Sequence, residues 1–171
     1  AAAILNVWHP GTMGGAAVSD LLFGVVSPSG KLPVTFPRVT GQIPIYYAHK
    51  HTGKPATAES FIHIEDIEPR AHQVSVGNTS FHLDAGFTPL FPFGFGLSYS
   101  HVEYEHMQCS TAVLTMSGRI TISADVVNVG PRAVDEVVQL YVRDLVGDVT
   151  RPVKELKAFT RVHLARGERR N

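Results

Sequence analysis

Residues 8–38 read WHPGTMGGAAVSDLLFGVVSPSGKLPVTFPR, which sets a glycine-rich turn, a short helical stretch and a proline-punctuated extended segment in succession. Between positions 13 and 23 the pattern GGAAVSDLLF places Ala17, Leu21 and Leu22 on one helical face. Gly24 follows where a left-handed C-terminal cap would sit. Upstream, residues 2–8 form an apolar run ending at a Pro-Gly turn, and the expectation there is a buried strand of a parallel sheet. Together these make a strand-turn-helix unit. Gly11, Gly14 and Gly15 allow a neighbouring element to pack closely against the backbone. Downstream, Pro28, Gly30, Pro33 and Pro37 exclude helix and leave room for a short edge strand over residues 32–36.

Farther along, the periodicity fades. Residues 41–90 are turns, mixed charges and scattered histidines, a longer irregular stretch than a compact domain usually carries, and such loops are commonly functional. After Tyr99 the character changes to alternating strands: HVEYEHMQ, RITISADVVNVG, EVVQLYVRD and a weaker run around LKAFTRVHL. Turn residues such as Ser117-Gly118 and Gly130-Pro131 separate them, as in an antiparallel sandwich. The domain boundary is therefore expected between positions 96 and 101. An immunoglobulin-like sandwich takes about 100 residues and roughly seven strands. About four are legible here, so the sandwich is expected to be cut short.

Composition narrows the function classes. The chain has 171 residues, 44% of them hydrophobic, enough for a core of its own. Its 15 basic and 15 acidic side chains cancel, which leaves no electrostatic footprint for nucleic acid or an anionic membrane surface. No apolar run is long enough to span a bilayer, and the first residues lack the basic start of a signal peptide. Cys109 is the single cysteine, so neither an internal disulfide nor a CxxC metal or redox pattern exists.

Seven motifs appear in a fixed order: PGTMGGAAVSDLLFG, SPSGKLPVTFPR, GQIPIYY, HKHTGKP, LFPFGFGLSYS, NVGPRAVDEVVQLYVRD and RPVKELKAFTRVHLARGE. In that order they resemble the C-terminal part of glycoside hydrolase family 3, the β-glucosidase and β-xylosidase family, and its bacterial β-glucosidases above all. The resemblance implies an α/β segment, an incomplete α/β sandwich, followed by an all-β and incomplete immunoglobulin/fibronectin type III-like sandwich. By it, residues 1–97 correspond to the last part of the α/β domain with its connecting loop, and residues 98–171 to the first strands of the fibronectin-like domain. It also implies a preceding catalytic barrel as the main packing partner. Family members work by a retaining mechanism, in which a barrel aspartate attacks the anomeric carbon and a glutamate of the α/β domain serves as acid and base. Those two carboxyl groups stand about 5–5.5 Å apart. Both belong to segments that would precede residue 1, so no catalytic residue carries over onto this chain, and no cofactor or metal is expected.

Several residues invite chemistry nonetheless. Glu59, Glu65, Asp66 and Glu68 cluster in a polar stretch, but an acid/base pair needs one carboxyl desolvated, and nothing apolar and regular surrounds them. They read as a solvated loop face. Asp84 lies in SFHLDAGFTPLFPFG, which matches the family's loop, often Ser-Arg-Tyr-x-Asp, that can reach over the active site. Phe81 and His82 stand at the Arg and Tyr positions, so a polar sugar contact from those two is in doubt. Asp84 is thus the substrate-binding candidate, against a competing role in stabilising its own turn. His49 and His51, with His63 nearby, lack a third ligand and a carboxylate behind them at definable spacing. Phe91, Phe93, Phe95 and Tyr99 offer faces for sugar stacking, yet their spacing among glycines favours packing, as does that of Trp8, Tyr46 and Tyr47. Arg143, Asp144, Arg151 and Lys154 read as exposed charges worth little each.

The functional expectation is a fragment of a retaining β-glycosidase acting on β-linked glucosides or xylosides, supplying scaffold and a subsite wall and inactive alone. A periplasmic or secreted location follows from kinship. The alternatives are a free-standing carbohydrate-binding or adhesion module built from the sandwich, and an interaction fragment with an exposed sheet edge.

Overall fold

The structure, a computed structural model, describes residues 1–72 and 79–171. Its residues fall into two compact units, one built from Ala1–Gly30, Leu97–Val138 and Thr160–Asn171, the other from Lys31–Gly96 and Gln139–Phe159.

The first unit opens with helix α1, Gly14–Leu22. Phe23 N–H returns to Ser19 O at 2.9 Å, and Gly24, at φ +72°, reverses the chain as a left-handed cap. The expected strand over residues 2–8 is absent: residues 1–13 are exposed and form no regular element. A strand needs a neighbour to take its backbone hydrogen bonds, and no described residue pairs with this run. The expected helical face is only partly covered, with Leu21 half-buried but Ala17 and Leu22 exposed. Gly14 abuts the Pro10 ring as close packing requires, whereas Gly11 and Gly15 face open space.

The sandwich strands follow the alternation in the sequence. They are β1 Val102–Cys109, β2 Ile122–Asn128, β3 Val134–Val142, β4 Glu155–Leu164 and the two-residue β5 Arg169–Arg170. One sheet has the order β1-β2-β5, and the other pairs β3 with β4. β4, the weakest run by sequence, is the longest strand, and β5 gave no signal because two arginines carry no period. β1 and β2 run antiparallel from Val102↔Asn128 to Cys109↔Ile122, with a bulge between Glu105 and Gln108 where His106 takes φ +49°. Side chains from four strands meet inside, where Val126, Val134 and Leu164 form the core, flanked by Val102, Val138 and Val162. Each fully buried side chain of this kind contributes about 1.5–3 kcal/mol. Tyr99, in the same unit, donates its hydroxyl to Leu21 O at 2.8 Å.

In the second unit the segment expected as an edge strand, residues 32–36, meets residues 91–95 in backbone hydrogen bonds at its two ends. Leu32 and Gly94–Phe95 exchange backbone hydrogen bonds of 2.8 Å, and Phe36 and Phe91 form an isolated bridge. Pro33 and Pro92 withhold the donors that would join these into a ladder. The aromatic residues pack on one another as expected: Phe91 stacks on Phe95 at 5.1 Å, Tyr47 on Phe93 at 4.1 Å, and Tyr141 meets Tyr47 edge-on. Tyr46 departs from that expectation, being 57% exposed, while Trp8, in the first unit, is 53% exposed.

Candidate functional site

Asp84 sits at the tip of a tight turn closed by the bridge between His82 and Gly86, with Gly86 N–H donating to His82 O at 2.8 Å. Gly86 adopts φ +76°, the left-handed conformation that brings the chain back on itself. Everything that holds this turn comes from the second unit.

Apolar support comes from Phe61. Its ring meets Phe81 at 5.3 Å and Phe87 at 6.0 Å, the residues that flank the turn on either side. Thr57 and Ser60 aim Phe61: Thr57 N–H donates to Ser60 Oγ at 2.8 Å, and Phe61 N–H donates to Thr57 O at 3.0 Å. Phe81 therefore turns into an aromatic nest, which is what its apolar ring favours over solvent. His82, Leu83 and Asp84 are left outermost.

Polar support comes from two segments. A single turn of 3-10 helix, Ile64–Asp66, is capped by His63, whose Nδ1 accepts from Glu65 N–H, and Ile64 N–H donates to Leu83 O at 2.9 Å. The other segment runs from Arg38 to Gln42. Arg38 donates from Nε to Thr88 O at 3.1 Å and from Nη2 to Thr88 Oγ1 at 3.2 Å. Gln42, only 5% exposed, lies over the carbonyls of Ala85, Gly86 and Thr88. Sequence reasoning missed Gln42, since a polar residue between Gly41 and Ile43 carries no periodic signal of burial.

The Asp84 carboxylate is exposed and makes no hydrogen bond or ion pair among the described residues. The competing idea, that it ties down its own turn, finds no bond to rest on, because backbone and neighbours do that work. What remains is an outward acceptor on a braced turn, able to receive two hydroxyl donors of a polyol.

The other candidates are placed apart. Glu59, Glu65, Asp66 and Glu68 are all exposed. Glu59 is held below the usual carboxylate range by the Thr57 side chain and its own backbone N–H, which favours the ionised form and not an acid. His49 Nδ1 lies 3.1 Å from Lys50 O, and His51 Nε2 lies 3.3 Å from Arg143 Nη2. Among the described residues no three His, Cys, Asp or Glu side chains are grouped to hold a metal ion. Arg143, Asp144, Arg151 and Lys154 are exposed as expected, and Lys154 Nζ stands 5.2 Å over the Tyr141 ring.

Known proteins supply a frame for this geometry. Residues 1–99 match the glycosyl hydrolase family 3 C-terminal domain, and residues 136–171 match the fibronectin type III-like domain. The chain is 41% identical over 168 residues to a periplasmic beta-glucosidase of Salmonella typhimurium, covering 98% of this chain and 20% of that protein. A putative beta-xylosidase of Formosa agariphila is 38% identical over 166 residues, covering 97% of this chain and 19% of that one. Among solved structures, the beta-glucosidase of Listeria innocua in complex with gluconolactone superposes with a TM-score of 0.80 at 38% identity, over 96% of this chain and 21% of that chain. The chain thus spans about a fifth of the length of the curated relatives it matches.

Proposed function

We propose, because this chain belongs to glycosyl hydrolase family 3, that it is the carboxy-terminal portion of a retaining β-glycosidase that hydrolyses β-linked glucosides or xylosides. Residues 1–97 are assigned to the end of the α/β domain and residues 98–171 to the start of the fibronectin-like domain. The nucleophile and the acid/base residue lie outside this chain, whose own contribution is scaffold and one wall of a sugar subsite. The observation that carries the reading is the free carboxylate of Asp84 at the tip of a turn braced from both sides.

The physical role follows from the retaining chemistry. A carboxylate that accepts hydrogen bonds from sugar hydroxyls orients the pyranose for in-line attack, and its gain is largest where water is excluded. Asp84 binds and orients, and it holds no proton that the reaction uses. The exposed apolar residues Ile4, Met13, Leu22 and Phe23 are assigned to packing against the rest of the enzyme, including its barrel. A periplasmic or secreted location is supported by the name of the Salmonella relative.

The test is a purified preparation of these 171 residues assayed with aryl β-glucosides and β-xylosides. No turnover above buffer is expected, and enzyme-like turnover overturns the assignment of the reactive carboxylates to other segments. Calorimetric titration with cello- and xylo-oligosaccharides is expected to show no binding; a saturable isotherm would favour a free-standing carbohydrate-binding module instead.

A further inference from the structure

We propose that Gln42 is the positioning residue of the Asp84 turn, so that sugar affinity at this subsite depends on a side chain that touches no sugar; the proposal rests on the reading of Asp84 given above. Gln42 ends the 3-10 turn Thr40–Gln42 and is 5% exposed, an uncommon burial for an amide in a loop. Both ends of that amide are engaged. Oε1 accepts from Arg38 N–H at 2.6 Å, which fixes the side chain to its own segment. Nε2 stands 3.4 Å from each of Ala85 O, Gly86 O and Thr88 O.

Three carbonyls converging on a single point repel one another, and part-buried carbonyls short of donors are costly; of the three, Thr88 O also receives Arg38 Nε. The Gln42 N–H groups are shared among them and offset that repulsion. Ala85 follows Asp84 directly, so the direction in which the carboxylate leaves the turn is set by where Ala85 O is held. The Ile64 to Leu83 bond braces the other side, but it joins two backbones and any sequence can make it. Gln42 is the buried side chain on which the turn's aim depends, with Arg38 as an exposed second grip on Thr88.

The test is steady-state kinetics of the full-length enzyme on an aryl β-glucoside and on cellobiose, with Asp84→Ala, Gln42→Leu, the double variant and Gln42→Glu. Asp84→Ala is expected to raise KM about tenfold with kcat changed about twofold or less. Gln42→Leu is expected to raise KM in the same direction, and the double variant to be no worse than Asp84→Ala alone, since both act on one contact. Should Gln42→Leu leave KM unchanged while Asp84→Ala raises it, or should the two effects add in full, Gln42 does not act through Asp84. A KM that Asp84→Ala does not move overturns the underlying reading of Asp84 itself, a different result. Gln42→Glu guards against misfolding, because it keeps the acceptor for Arg38 N–H. Its carboxyl can donate to the three carbonyls only while protonated, so its KM is expected near the native value at acid pH and to rise as pH rises. A ratio to native that is flat with pH overturns the proposal.

Discussion

Ser100 Oγ donates to Asn128 Oδ1 at 2.6 Å, and this bond is one side of a buried amide whose polar atoms are all used. Asn128 is 0% exposed at the end of β2. Its Oδ1 also accepts from Gly130 N–H at 3.2 Å, and its Nδ2 donates to Arg132 O at 2.7 Å, Leu164 O at 3.2 Å and Ala165 O at 3.1 Å. One side chain therefore joins the start of β1, the turn after β2 and the end of β4. Replacing it removes the partner of several groups at once, whereas Ser100→Ala removes a single bond and leaves Oδ1 its Gly130 donor. Asn128→Leu is expected to cost about 3 kcal/mol and Ser100→Ala about 1 kcal/mol. Asn128→Asp is expected to be at least as damaging as Asn128→Leu, since it sets an anion against three carbonyls. Native-state hydrogen exchange of the β2 and β4 amides reads these differences directly, and a near-silent Asn128→Asp would refute the donor role of Nδ2.

Gly86 tests the turn separately from its amide brace. A Cβ built at Gly86 meets Phe61 at 3.7 Å, ordinary contact distance, so crowding does not decide the outcome. The backbone does: φ is +76°, and a side chain in the left-handed region costs about 1–2 kcal/mol. Gly86→Ala is expected to lose about that much, and Gly86→Asn less, because Asn tolerates the region better. Equal losses measured by hydrogen exchange of the 82–88 turn would point to crowding against Phe61 instead.

What the sequence disclosed divides along physical lines. The four long strands were legible through their apolar periodicity and α1 through its helical spacing and the Gly24 cap, and their bounds fall within a few residues of expectation. Residues 2–8 misled because an apolar run says that burial is wanted, not that a partner strand is at hand. β5 was too short to carry a pattern. The Asp84 turn was legible only through resemblance, since Phe61, Phe81 and Phe87 come together across irregular chain. Gln42 stands in the GQIPIYY motif, yet its burial went unread, for nothing local marks an amide whose acceptors are more than forty residues away.

The uncovered apolar side chains near α1 bear on behaviour in solution. Phe23 is 83% exposed, Ile4 76%, and Met13 and Val25 72% each. Large exposed hydrophobes drive association when nothing covers them. The 171-residue chain is expected to aggregate and to melt without a sharp transition. Phe23→Lys with Ile4→Lys is expected to raise its solubility by light scattering while lowering the stability of the full-length enzyme. Improved solubility with no loss in the larger protein would mean that this face is free there too.

Asp125 gives the β1-β2-β5 sheet its acid dependence. Asn171 Nδ2 donates to Oδ1 at 2.8 Å, while His106 Nδ1 and Arg169 Nη1 each stand 3.0 Å from Oδ2. Arg169 also reaches Glu105 at 2.7 Å, so one guanidinium from β5 ties Glu105 of β1 to Asp125, its register partner on β2. Hydrogen bonds from Asn171, His106 and Arg169 hold the Asp125 carboxyl down at about 2, against an ordinary 3.8. A carboxyl whose folded value lies below its unfolded one stabilises the fold above the unfolded value, and that contribution fades as pH falls through the folded value. Asp125→Asn keeps the acceptor for Asn171 and loses the charge. The native full-length enzyme is therefore expected to exceed its Asp125→Asn variant in urea midpoint at pH 7, with the gap narrowing from about pH 4 and closing near pH 2. Added salt is expected to shrink the gap at pH 7, because the partners of Asp125, His106 and Arg169, are exposed and screened by it. A gap that stays constant down to pH 2 would show that the hydrogen-bond geometry, and not the charge of Asp125, secures β5 to the sheet.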